Sequence, residues 1–503
     1  MKRMISKNII LGASLAALIF TSCSKTYLDV NNDPNRPTDD NTTPQLIFTQ
    51  AEQAVGSREA SGDWGFLDNW MGYFAPNGDF APSQIEQTYN IDFGFSDAIW
   101  QNHYNVLFDL YQVKTKAMAS GDSVLAAAST ILSAKLWQEL VDLFGDIPYT
   151  QAFHYKEFPT PAYDAQKDVY NSVLLSLDTA VDYMKNLTAA KSFAPADIIN
   201  NGDQGRWAEF GNTIKLRMLI RQSQVSGFDP SAEIAKIQSS GGVSDDYDVS
   251  ENPGYINDVN KQSPFYANFG YDASNNIANT SINANAYILN ILTNSGDPRL
   301  ERFFSPSASG YNGNVYGDPT GTLTNGAGTS YFGPGLIGDG APSSVGATQD
   351  QWIYPKYETL FLEAEAIARG WLSGDVKATY ENAVKASFEF LKVDDADNAA
   401  ATYLAEGGSW DDNAGASVSL QVQFITYQKY IANTGIDPLE SYSDQRRLHF
   451  LTDNSYISSN PAKVANTLPL RLLYPQSEYT TNSSSVQAEG TIDAYTTKLF
   501  WEP

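Results

Sequence analysis

Between residues 64 and 104 the chain sets Trp64, Trp70, Tyr73, Phe74, Phe80 and Tyr89 among Asn69, Asn77 and Asp79, with no Lys or Arg in the window. Flat rings cover the apolar C–H face of a pyranose, and amides or carboxylates pair its hydroxyls, so this mixture suits capture of an uncharged saccharide. WMGYFAPNGDFAP carries Gly and Pro breaks that exclude a long helix, which puts its rings on a loop. Trp70 and Tyr73 share a short helical turn, and Trp100 and Tyr104 lie on a helical stripe, where core packing is the ordinary use of a ring. The loop rings have a second use, packing the loop onto its scaffold, and the sequence leaves both uses open. Tyr266, Phe269, Tyr271, Tyr311, Tyr316, Tyr331 and Phe332, with Asn275 and Asn276 nearby, form a second such group. For these, self-packing or contact with a partner protein competes with ligand binding.

Catalytic constellations are weaker. A glycoside hydrolase needs two carboxylates at a set separation, and 58 acidic residues make sequence spacing uninformative. The three histidines, His103, His154 and His449, form no zinc-type pair on a helix face. No nucleophile elbow is present, and GDSV at 121–124 falls between two helical patterns, where a capped turn is expected. Arg217 and Arg221 share a helix face and suit either an anion clamp or ion pairs with this acidic chain. The expectation is a protein that is not an enzyme and carries no metal or cofactor.

The formal charge is −26, which excludes nucleic acid as a natural partner, because that binding rests on Lys and Arg neutralising phosphates. The single cysteine, Cys23, excludes an intramolecular disulfide. Lys2, Arg3 and Lys7 precede an apolar run, Ile9 to Phe20, too short for a bilayer and suited to a secretory signal. Small Thr21 and Ser22 then lead to Cys23. This resembles a bacterial lipoprotein signal, with residues 1–22 removed and Cys23 carrying the lipid. Asp29, Asn31 and Asp33 have the spacing of a calcium loop, but Pro34 stands where the sharp turn needs Gly.

The elements that position these residues are mostly helical. Trp100, Tyr104, Leu107 and Tyr111 form one stripe at helical spacing, and Leu132, Leu136, Leu140 and Phe144 another. Gly145 and Pro148 stop that helix, and Asp164 is placed to cap the next, which buries Tyr170, Val173, Leu177, Val181 and Met184. Trp207, Phe210, Ile214 and Met218 align on a fourth helix. Periodicity fails from about 226 to 350, where residues 305–350 hold eleven glycines and no Lys or Arg. Helices resume with Leu360, Ala364, Ile367 and Trp371, a turn at Gly370 and Gly374, then Tyr380, Ala383, Ala386 and Phe390, a pattern like a tetratricopeptide hairpin. Another helix covers roughly 418–433, and the chain beyond 467 reads as irregular.

Several stretches together resemble the SusD/RagB family of Bacteroidetes outer-membrane lipoproteins. They are YLDVNNDPNRPT (27–38), FGDIPYTQAF (144–153), WAEFGNTIKLRMLIR (207–221) and NSGDPRLERFF (294–304). Three more follow: ETLFLEAEAIARGWLSGDVKATYENAVKAS (358–387), ITYQKYIA (425–432) and LPLRLLYPQSEYTTN (468–482). The resemblance implies a mainly α fold of four tetratricopeptide-like helix pairs, mainly within 96–225 and 355–450, carrying a loop-rich ligand-binding insertion at about 226–350. Residues 23–45 would be a lipid-anchored tether and 46–503 a single domain. It also implies a SusC-like TonB-dependent β-barrel transporter as partner, with oligosaccharides, or peptides in RagB-type members, as ligands. The DVNNDPN form is closer to a divergent branch, so glycan contacts of starch-binding members do not transfer residue by residue.

Overall fold

The computed structural model describes residues 42–189, 193–338 and 344–503. Cys23 and the Asp29–Asp33 stretch lie outside them. Residues 44–503 make one compact unit. Its longer helices are α1 (Pro44–Glu59), α2 (Asp97–Ala119), α3 (Ser123–Phe144), α4 (Gln166–Asn186), α5 (Gln204–Arg221), α6 (Lys356–Ala368), α7 (Val376–Phe390), α8 (Val418–Ala432) and α9 (Pro438–Leu448), with shorter helices and turns between. From α2 onward these form four successive tetratricopeptide-like pairs, as the resemblance implies.

Local chemistry sets most helix ends. The Asp122 carboxylate accepts the Leu125 N–H at the start of α3, so GDSV is a cap. Asp203, Asp375, Ser417 and Asp437 cap α5, α7, α8 and α9 in the same way. Asp164 does something else: its carboxylate accepts the N–H groups of Tyr149 (2.9 Å) and Thr150 (2.8 Å), while Asp146 accepts the Gln166 N–H at the head of α4. The expected cap is thus supplied by a residue from the preceding loop, and Asp164 fastens that loop. Helix α1, which the periodicity did not reveal, is short of apolar residues; Phe48, Ala51 and Val55 are buried, and Glu52 and Arg58 are buried with them.

Each pair buries its apolar stripes against the next. Helix α3 is enclosed on nearly all sides, consistent with its near-continuous apolar sequence. Helix α5 is enclosed too, and brings Arg217 and Arg221 into the interior. There Arg221 meets Asp142 (3.0 Å), Glu440 and Asp444 (3.6 Å), and Arg217 meets Glu358 and Asp437 (both 3.5 Å). Lys429 bridges Glu440 and Asp444, and Arg447 joins Asp444 to Glu365. Of the two uses expected for Arg217 and Arg221, the ion-pair role is the one built. The void among these charges is about 10 Å³, room for no more than one water, so this centre is not a ligand site.

Three two-stranded antiparallel ribbons stiffen the irregular region: β1 (Phe74–Pro76) with β3 (Ile282–Ala284), β2 (Val249–Glu251) with β6 (Gln351–Tyr354), and β4 (Phe304–Ser305) with β5 (Tyr331–Phe332). Glu251 is buried at the end of β2, where the Tyr255 hydroxyl donates to it (2.5 Å) and its other oxygen has no partner. A Cβ on Gly56 of α1 would stand 2.5 Å from that carboxylate, so any larger residue there would displace the Glu251 side chain. Burial pushes the Glu251 carboxyl up to about 8. The folded state then binds a proton that the unfolded chain has released. Its contribution is full below about pH 4.5 and is lost as pH rises through about 8. Glu251→Gln should therefore match the parent near pH 5 and exceed it by on the order of 2 kcal/mol at alkaline pH. Urea unfolding at the two pH values checks this; equal differences at both would contradict it.

Candidate functional site

The irregular region is held by asparagines that replace backbone pairing. Asn77, fully buried at the end of β1, donates to the Thr280 carbonyl and to Asn283 Oδ1 (both 2.8 Å), and accepts the Asp79 N–H. Asn314 donates to the carbonyls of Pro76 (3.2 Å) and Thr324 (2.9 Å) and accepts the Thr324 N–H. Asn312 donates to the Gly328 carbonyl, and Asp79 accepts the Gly326 N–H (2.8 Å). These bonds tie 76–79, 280–283 and 312–328 into one cluster. An amide can donate and accept at once, so it satisfies backbone groups where no ladder is available. At Gly78 a Cβ would lie 2.4 Å from the Leu323 carbonyl, so the loops meet there only because 78 is glycine.

Most of the rings expected to face a ligand lie in the interior. Trp64, Trp70, Tyr73, Phe74, Tyr89, Tyr266 and Tyr316 are buried, as is Asn77. Trp70 meets Phe66 and Tyr89 edge-on, with centroids 4.9 and 5.6 Å away, and its indole N–H donates to the Glu86 carbonyl. Tyr73 stacks on Tyr430 at 4.8 Å and donates to the Tyr430 carbonyl (2.7 Å). Phe74 packs on Phe332, and Tyr316 donates to Glu86 (3.0 Å). The Tyr89 hydroxyl accepts the Ser458 N–H, and Trp64 sits edge-on to His103 beneath the Arg58 guanidinium. For Tyr73, Tyr89, Tyr316 and Trp70, an internal partner for the polar atom removes the reason to stay wet. The expectation that these seven rings face a ligand is corrected accordingly.

What remains on the surface of the cluster is a smaller set. Phe80 is 48% exposed and follows exposed Asp79; Tyr311 is 36% exposed beside Asn312. Tyr271 and Tyr331 are half-buried, and the Tyr331 hydroxyl donates to the Phe269 and Asn279 carbonyls. Ile277 and Val315, which carried no sequence signal as ligand contacts, are exposed on the same loops. No cation from 305–338 joins them. The result is a rigid, asparagine-bound shelf with apolar and aromatic side chains standing on it.

The histidines do not assemble a metal site, and among the described residues no group of three potential ligands converges. His103 is enclosed between Arg58 and Glu139; burial, then the Arg58 charge, lowers its pKa to about 4, so it is neutral. Glu139 is held low despite burial, because Lys135 and His103 surround it.

A family model described as starch-binding and associating with the outer membrane, SusD-like_2, matches residues 34–475. No curated protein matches the chain. Among solved structures, a SusD homologue from Bacteroides fragilis is similar with a TM-score of 0.74 and 22% identity, covering 92% of this chain and 99% of its own. A chitin-binding SusD homologue from Flavobacterium johnsoniae aligns with a TM-score of 0.72 at 22% identity, over 90% of this chain and 98% of its own. A SusD-like protein from Bacteroides thetaiotaomicron gives 0.70 at 23%, over 90% and 98%. At such identities the structural likeness speaks for the fold.

Proposed function

This chain belongs to the SusD-like family, and from that premise we propose that it is a cell-surface lipoprotein that captures oligosaccharides and delivers them to a SusC-like TonB-dependent transporter. The observation that carries the reading is the asparagine-bound shelf, which displays Phe80 and Tyr311 on a backbone too constrained to collapse over them. Rings held in place before binding lose little entropy when a sugar stacks on them. Asp79 and the neighbouring amides supply partners for sugar hydroxyls, and the net charge of −26 disfavours anionic ligands. The family's description as starch-binding and the chitin-binding relative support a glycan, and the family's association with the outer membrane supports the location. Among the described residues no helix is long and apolar enough to cross a membrane, and Cys23 supplies the anchor in this reading.

Calorimetry against a panel of glucan, chitin and xylan oligosaccharides, with unmodified peptides alongside, tests the proposal. Binding to a glycan is expected, weakened about thirtyfold when Phe80→Ala and Tyr311→Ala are combined, since each ring contributes on the order of 1 kcal/mol. Peptide binding without glycan binding would replace the reading with the RagB-type one. Release of reducing ends by the purified protein would replace it with a hydrolase.

A further inference from the structure

The helical scaffold holds two clefts that share Phe153. One, of about 310 Å³, is lined by the rings of Tyr111, Trp137, Tyr149 and Phe153. The hydroxyls of Thr130, Ser133, Thr150 and Ser176 border it. The other, of about 370 Å³, lies among Trp100, Tyr104 and Phe153, with the amides of Gln101 and Asn105 and the carboxylate of Glu478. Both are at the small end of the range for ligand sites, the size for one or two hexose rings each.

Phe153 has φ = +69°, a conformation costly for an aromatic residue, by roughly 1–3 kcal/mol. Glycine or asparagine would relieve that cost but would remove the ring that walls both clefts. The ring sits 5.3 Å from Tyr111, 6.1 Å from Trp137 and 6.2 Å from Tyr104. The loop bearing it is fastened at Tyr149 and Thr150 by Asp164, and at Pro148 by the Tyr104 hydroxyl (2.7 Å). The walls are therefore set before any ligand arrives.

The lining combines ring faces with hydroxyls and amides. The hydroxyls of Thr130, Ser133 and Thr150 already donate within the protein, to the Ala126 and Ser129 carbonyls and to Asp164, so each offers a ligand an acceptor oxygen. The exposed Gln101 and Asn105 amides add donors, a set that matches sugar hydroxyls. An anion would find Lys114 and His154 at one cleft but Glu478 at the other, within a strongly negative protein. Glu478 is engaged through Oε2, which accepts from the Tyr163 hydroxyl (2.7 Å) and Asn482 (3.1 Å), and Lys114 lines the other cleft, so a cation spanning both gains no net partner. We propose that the paired clefts astride Phe153 bind a short neutral oligosaccharide, one end in each, as a second glycan site. It shares no residue with the loop shelf, so either site can fail without the other.

The test uses the full-length protein carrying 5-fluorotryptophan, with the Trp100 and Trp137 fluorine signals assigned by Trp→Phe replacement. The probes are maltotriose, cellotriose and triacetylchitotriose, with tri-alanine as the peptide comparison. Saturable shifts of both signals with at least one sugar are expected by about 20 mM, the range of weak single-site affinities. Tyr111→Ala, and independently Ser133→Phe, which fills the first cleft, should each weaken the apparent affinity at least about fivefold with the thermal midpoint preserved. Silence of both signals with all three sugars would overturn the proposal, as would a response to tri-alanine alone. A response abolished by Phe80→Ala but not by Tyr111→Ala would assign the binding to the shelf and overturn it too.

Discussion

Arg221→Ala is expected to lower the free energy of unfolding by about 3–5 kcal/mol, the effect of stranding buried charges. Arg221 is held against Asp142, Glu440 and Asp444, and its guanidinium lies 5.5 Å from the centre of the Trp501 ring. Asp142 also accepts from the Tyr170 hydroxyl and the Trp501 indole, so one substitution disturbs α3, α4, α5, α9 and the C-terminal segment together. Burial alone would raise the Glu440 carboxyl, but Arg221 first and Lys429 second hold it well below its ordinary value. Its contribution is therefore present above an unfolded-state pKa near 4.5 and is lost as pH falls toward the depressed folded value. The deficit of the variant should be larger at pH 7 than at pH 3. Guanidinium unfolding followed by circular dichroism at both values measures it. A midpoint unchanged at pH 7 would mean the network is dispensable.

Cys23→Ser should move the protein from the detergent-rich to the aqueous phase in a Triton X-114 partition and abolish incorporation of labelled palmitate. Each acyl CH₂ buried in a bilayer contributes about 0.8 kcal/mol, and stable anchoring takes more than one chain. No described helix can replace that anchor by spanning the membrane. Phase partition is chosen over pelleting because a transporter bound to the protein would pellet with it. Retention of the serine variant in the detergent phase, with palmitate still incorporated, would remove Cys23 from its assigned role.

The helical scaffold was legible because its signal is local and repeated. Stripes such as Leu132, Leu136, Leu140 and Phe144 mark a face, and residues such as Asp122 or Gly370 mark ends, whatever lies elsewhere in the chain. Helix α1 escaped because polar Glu52 and Arg58 share its buried face with Phe48, Ala51 and Val55, which breaks the apolar stripe that marks a helix in sequence. Asp164 misled for a related reason: a carboxylate before a helix can cap it or fasten another loop, and only the fold says which N–H groups are in reach.

By itself, the sequence determined the helix pairs, the irregular segment between them, the exclusion of an intramolecular disulfide, and the family resemblance. Those follow from periodicity and composition, which need no knowledge of distant contacts. Only the tertiary structure decided which rings a ligand could touch. Trp70 and Phe80 are ten residues apart in one aromatic run, yet one is enclosed by Phe66, Tyr89 and Phe95 and the other stands 48% exposed. The difference lies in whether a distant segment supplies a neighbouring ring and a partner for the polar atom, which no local pattern encodes.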